Sequence, residues 1–168
     1  MGACYLHWQL SYPLPMLGLP LVVLMLAGPM PVDLALDDTV QRTVDREPGQ
    51  YLGHPSTVLL QDGQTMLCVY PKGHGRGALV LKRSEDGGHT WSDRIAVPTS
   101  WATSKETPHL YEMLDAEGTR RLILFSGLFP IRTATSEDDG VTLSELASIG
   151  DFGGIVAVAD VMPTMPGG

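Results

Sequence analysis

From Tyr51 onward the apolar residues come in short runs of strand length, separated by clusters of Gly, Asp, Ser and Pro. That spacing predicts strands joined by tight turns. The first run, His54–Leu60, is followed by the turn Gln61-Asp62-Gly63-Gln64 and a second strand, Thr65–Tyr70. A glycine-rich loop, Pro71 to Gly77, leads to a third strand at Ala78–Arg83 and a fourth at Trp91–Val97. The order then repeats. A loop from Pro98 to Thr107 precedes His109–Leu114, the turn Asp115-Ala116-Glu117-Gly118 leads to Arg121–Phe125, and Ile131–Thr135 and Thr142–Ile149 complete a second set of four. Ile155–Met162 has the pattern of one further strand.

Each set carries the same punctuation between its third and fourth strands. Ser84-Glu85-Asp86-Gly87-Gly88-His89-Thr90-Trp91 returns as Ser136-Glu137-Asp138-Asp139-Gly140-Val141-Thr142-Leu143. Both fit Ser-x-Asp-x-Gly-x-Thr followed by a large apolar residue. Ser and Asp oxygens accept hydrogen bonds from backbone N–H groups a few residues on and so close a turn locally. Gly88 and Gly140 supply positive φ, and Thr90 and Thr142 return the chain to an extended path. Trp91 is expected to bury its ring between neighbouring sheets. The role of these residues is structural. A repeat of about 40–50 residues built from short strands is the mark of a β-propeller, one copy per blade. The predicted fold is therefore all-β: two antiparallel blades plus the first strand of a third.

Residues 1–31 differ from the rest. The uncharged apolar run Leu14–Ala27, interrupted by proline, has the length of an export signal rather than a spanning helix. It predicts an exported protein with no stable membrane domain unless that segment stays attached. Residues 32–50 are polar and acidic and are expected to link it to the first strand. Two cysteines, Cys4 and Cys68, give no reason to expect a disulfide. Net charge is −8, and no Lys/Arg cluster is present, which argues against nucleic acid as a partner. No His/Cys/carboxylate spacing points to a metal site, and no phosphate loop or other cofactor motif occurs.

The repeated Ser-x-Asp-x-Gly-x-Thr-Trp turn, following a strand such as Ala78–Arg83, resembles the Asp-box (BNR) repeats of sialidases. The resemblance covers about Tyr51 to Met162 and implies the first part of a six-bladed propeller. Two blades leave such a ring open, so the missing blades, or other chains, are expected to close it. The resemblance also implies an exo-acting glycoside hydrolase on a terminal sugar of a glycan. Sialidases hold their acidic sugar with arginines and use an Asp as acid/base and a Tyr assisted by a Glu as nucleophile. This sequence departs from that pattern. It has Gly53-His54-Pro55 where the family carries Arg-Ile-Pro, and its acid/base loop reads Lys72-Gly73-His74-Gly75-Arg76.

The start of a blade's first strand and the loop from its second to its third face the pocket of a propeller. His54 and the Lys72–Arg76 loop are thus expected to meet. His74 is the candidate acid/base, because imidazole exchanges a proton near neutral pH. The flanking glycines imply close backbone approach. Candidate substrate-binding residues are His54, Lys72, Arg76, Glu106 ahead of the second set of strands, and Arg132. The last is either a substrate cation or an ion-pair partner of Glu137. The alternative to an enzyme is a non-catalytic Asp-box propeller that binds carbohydrate or protein.

Overall fold

Among the described residues, seven strands form two antiparallel sheets. The computed structural model describes residues 39–127 and 130–151, with Asp33, Asp37, Val158 and residues 160–162. The expected export segment and half of the expected strand at Ile155–Met162 lie outside the described residues. The first sheet contains β1 (Ser56–Leu59), β2 (Met66–Pro71) and β3 (Leu79–Ser84) in the order β1-β2-β3. The second contains β4 (Pro108–Leu114), β5 (Arg120–Ser126), β6 (Arg132–Ser136) and β7 (Ala147–Ser148) in the order β4-β5-β6-β7. Among the described residues no helix is long and apolar enough to cross a membrane.

Alternation along the strands decides what each sheet buries. Leu67, Val69, Leu79 and Leu81 of the first sheet share one core with Leu110, Leu122, Leu124 and Ala134 of the second. The intervening Cys68, Tyr70 and Val80 form a second cluster, covered by Val44, Leu52 and Trp91. Strand β2 is buried on both sides, which is why Met66–Tyr70 reads as an unbroken apolar run. The second cluster also explains why part of the expected linker is packed. The Tyr70 hydroxyl donates to Asp45, Arg94 Nε donates to Asp45 Oδ2 at 2.7 Å, and Lys82 Nζ donates to the Val44 carbonyl at 2.8 Å. Cys68 is a buried free thiol, and its burial pushes the pKa up to about 11.

Two expectations need correction. The fourth strands, read as Trp91–Val97 and Thr142–Ile149, shrink to one bridge between Leu81 and Ile95 and to the two residues of β7. The cause is the same in both sheets. Ser92 N–H donates to the Arg83 carbonyl at 2.8 Å, but the returning Arg83 N–H donates to Ser92 Oγ at 3.0 Å. Ser144 repeats this with Thr135, at 2.9 Å in both directions. A hydroxyl takes the place of a carbonyl, and the ladder breaks there. Trp91, moreover, does not sit between the sheets. It is half-buried against the Cys68 cluster, with Nε1 donating to the Gly88 carbonyl at 3.1 Å. The indole in the common core is Trp101, on a short 3-10 helix at Thr99–Thr103, fully buried and donating to the Ser144 carbonyl at 3.1 Å.

The two Ser/Asp turns match bond for bond. Gly88 N–H donates to Ser84 Oγ at 2.8 Å, Thr90 N–H to Asp86 Oδ1 at 2.8 Å, and Thr90 Oγ1 to Asp86 Oδ2 at 2.6 Å. The counterparts at Ser136, Asp138, Gly140 and Thr142 are 2.9, 2.8 and 2.5 Å. The Thr90 and Thr142 hydroxyls first, their N–H groups next and then the serine hydroxyls lower Asp86 and Asp138 to about 2. Thr65 and Gln64 do the same for Asp62 in the β1–β2 turn. Unfolded aspartate titrates near 3.9, so as pH falls the unfolded chain takes up protons first. The stability held by these carboxylates is complete above about pH 4 and is lost toward pH 2. Urea denaturation between pH 6 and pH 2 should show that decline, and it should be shallower in the D86N/D138N double variant. An equal slope would remove the turns as its cause.

Gly140 also joins the two sheets. Its φ is 79°, and a Cβ there would lie 2.5 Å from Leu67 Cδ1 in the neighbouring sheet. Gly87, at φ 69°, has open space around it. Gly87→Ala is expected to cost about 1 kcal/mol for conformation alone. Gly140→Ala adds overpacking, for a total of about 2–4 kcal/mol. Equal midpoints in urea would mean that Leu67 yields freely.

Candidate functional site

The Ser/Asp turns close the sheets at one end. At the opposite end meet the start of β1, the β2–β3 loop and the segment ahead of β4. The loop is shaped by its glycines. Gly73 and Gly77 have φ of 139° and 131°, and a Cβ on either would come within 2.4 Å of the Arg76 or Lys72 carbonyl oxygen. Only a chain without side chains there folds back so tightly. Lys72 N–H closes the hairpin on the Ala78 carbonyl at 2.9 Å, and Gly77 N–H reaches the Ser104 carbonyl at 3.4 Å. The loop of the first sheet is thereby seated on the segment that precedes the second.

His74 stands exposed at the tip, flanked by Gly73 and Gly75. His54 approaches from the start of β1 with φ 51°, an uncommon backbone for a residue with a side chain. Pro55 restricts the backbone before it further. Such strain persists only where the surroundings impose it, and it concentrates at functional positions. Its result here is contact between the two imidazoles. His54 Nε2 and His74 Nδ1 are 3.2 Å apart, with ring centroids at 4.5 Å and planes at 71°. One of these nitrogens carries the proton of the bond. His74 Nε2 is the ring nitrogen that stays outside it.

The expected meeting of His54 with the glycine-rich loop is thus realised, and Glu106 joins it. A Cβ on Gly75 would lie 3.0 Å from Glu106 Oε1, so the carboxylate rests against the His74 loop. That oxygen also accepts from Thr107 N–H at 3.0 Å and from Thr107 Oγ1 at 3.2 Å. Arg76 is exposed on the same loop. Lys72 points away to Glu47, 3.1 Å from its carboxylate, and Arg94 reaches the same Glu47 at 2.6 Å.

Arg132 is a step removed. It does not pair with Glu137, which Arg121 holds instead. Its NH1 and NH2 donate to Thr103 Oγ1 and the Thr103 carbonyl at 2.8 and 2.7 Å. With Thr103, Lys105, Gly127 and Pro130 it lines a cleft of about 340 Å³. Ser104, next along, is buried and hydrogen-bonded to Ser126 at 2.9 Å. One segment, Thr103 to Thr107, therefore carries contacts to both candidate groups. Tyr51, which no motif marks, stands beside His74 with ring centroids 5.8 Å apart. The sequence signal for it was its position two residues ahead of Gly53-His54.

Chemically, the end holds a hydrogen-bonded imidazole pair with an exposed nitrogen, a nearby carboxylate and exposed cations. Among the described residues, no three His, Cys, Asp or Glu side chains converge as metal ligands. No family model matches the chain, and no curated protein matches it.

Proposed function

We propose that the two sheets are consecutive blades of a sialidase-like β-propeller whose loop end carries the site of an exo-acting glycoside hydrolase. The architecture is supported by the matched Ser/Asp turns, the matched Ser92 and Ser144 interruptions, and the face-to-face packing of successive sheets. A propeller ring takes about four to eight blades, so blades beyond these two, or other chains, would complete the pocket. The apolar N-terminal run agrees with an exported enzyme meeting glycans outside the cytoplasm.

The observation that carries the function is the His54–His74 pair, set on strained backbone beside Glu106 at the end away from the structural turns. In the proposed reaction His74 Nε2 gives its proton to the glycosidic oxygen as the bond from that oxygen to the anomeric carbon breaks. Water adds to the anomeric carbon, and its proton returns to His74. His54 positions the ring through Nδ1. Arg76 and the Lys105–Arg132 cleft would bind hydroxyl or anionic groups of the glycan.

The test is a panel of 4-methylumbelliferyl glycosides, neutral and acidic, incubated with the purified chain. Release of fluorophore from one member, lost in His74→Ala, is the expected result. Binding of methyl glycosides without release would assign the non-catalytic carbohydrate-binding propeller instead. Neither binding nor release would end the carbohydrate reading.

A further inference from the structure

We infer that Tyr51 is the platform on which the sugar ring lies, and that Gly53 is glycine in order to seat it. The inference rests on the carbohydrate reading above and names a residue which that reading does not use.

Tyr51 is 57% exposed, and it is the aromatic member of the large apolar side chains left exposed among the described residues. Its ring nevertheless lies against the Gly53 backbone. A Cβ on Gly53 would lie 2.2 Å from ring atom Cε1, 2.8 Å from Cζ and 2.9 Å from the hydroxyl oxygen. Gly53 is buried and its φ is not in the left-handed region, so conformation does not demand glycine there. Space does: the phenol ring occupies the volume that any side chain would need. Leu52, between them, anchors the backbone. It bridges to Lys72 and Gly73 and packs with Cys68 and Tyr70. Gln50 Nε2 adds a hydrogen bond to the Tyr51 carbonyl at 3.0 Å.

The chain thus lays a large ring over its own backbone and leaves much of it in water. Its centroid is 5.8 Å from that of His74, with the planes at 47°. The face of an aromatic ring is negative and attracts polarised C–H groups. A pyranose presents such C–H groups on its faces and its hydroxyls at the rim. Stacked on Tyr51, a terminal pyranose would direct its rim toward His74 and Arg76. An aromatic side chain has only two χ angles, so little rotamer freedom is lost when a sugar stacks on it.

Saturation-transfer difference NMR on the full chain tests this, using the methyl pyranosides of glucose, galactose and mannose and a methyl sialoside as probes. Wild type should bind at least one, with transfer strongest at C–H protons along one face of the sugar. Tyr51→Phe keeps the ring and should keep affinity within about twofold. Tyr51→Ala should weaken it about fivefold to tenfold. Gly53→Ala, which evicts the ring, should match Tyr51→Ala, with thermal midpoints confirming that each variant is folded. If wild type binds a glycoside and Tyr51→Ala binds it equally well, the platform falls and the carbohydrate reading stands. If wild type binds none of the probes, both fall.

Discussion

Replacing Trp101 with alanine is expected to destabilise the protein by about 3–5 kcal/mol, a large share of the roughly 5–15 kcal/mol that holds a typical domain folded. The indole is fully buried in the core shared by the two sheets. Its removal strips apolar contacts from both sheets and leaves a cavity that neighbouring strands cannot fill without shifting. It also leaves the Ser144 carbonyl without the indole donor at 3.1 Å. Trp91 is the internal control, because it has the same side chain, half-buried on the other face of one sheet. Its removal should cost about 1–2 kcal/mol. Urea denaturation of both variants decides the matter. If Trp101→Ala costs no more than Trp91→Ala, the shared core does not depend on the indole. The structure gives the larger loss a further consequence: Trp101 lies on the short helix that leads directly to Ser104 and Glu106, so the seat of the His74 loop should loosen with it.

On the proposed glycosidase reading, His74→Ala should lower kcat by at least about 100-fold, the usual scale of a lost general acid or base, while the thermal midpoint stays within about 2 °C. The second half follows from exposure: the His74 side chain covers no core, and the loop's shape is set by its glycines and by the Lys72 and Gly77 backbone bonds. His54→Ala separates positioning from chemistry. His54 touches His74 Nδ1 and not the outward nitrogen, so its loss should lower kcat less and displace the pH profile of kcat. Stopped activity with an unchanged midpoint in His74→Ala supports a chemical role. Unchanged turnover removes His74 from the mechanism, and a large fall in the midpoint would make it a scaffold of the loop.

Much of the strand framework was legible because its signals are local. The runs at Met66–Pro71, Leu79–Ser84 and Arg120–Ser126 are apolar stretches bounded by turn residues, and they fall within two residues of their expected ends. The fourth strands were overextended because β-type composition does not reveal that Ser92 and Ser144 intercept the ladder with a hydroxyl. Trp91 was expected to fill the space between sheets and Trp101 was given no role, for a related reason. A tryptophan beside a repeated motif attracts attention, but burial depends on where the following loop returns. That loop carries Trp101 to a carbonyl 43 residues further along the chain.

The site divides in the same way. His54 and the glycine-rich loop were expected together, and the expectation rested on the order of strands in a repeated unit. Tyr51 was missed because nothing in composition marks a ring whose importance lies in the glycine beneath it. Lys72 was expected as a substrate cation and Arg132 as a substrate cation or a partner of Glu137, yet Glu47 and Thr103 engage them, and neither partner is near in sequence.

By itself the sequence determined the all-β class, the two matched turns, the sites of positive φ at Gly88 and Gly140 and the chemical character of the glycine-rich loop. The turns and the positive-φ glycines arise from contacts within about four residues, where spacing dictates geometry, and the class shows in short apolar runs bounded by turn residues. Only the tertiary structure decided which tryptophan fills the core, where the fourth strands stop, that the His54 and His74 rings are hydrogen-bonded, and that Tyr51 and the Glu106 segment join them at one end. Such pairings span from about 20 to more than 40 residues. They exist because burying Leu67, Val69, Leu79 and Leu81 against Leu110, Leu122 and Leu124 brings the two sheets, and with them their loops, into register.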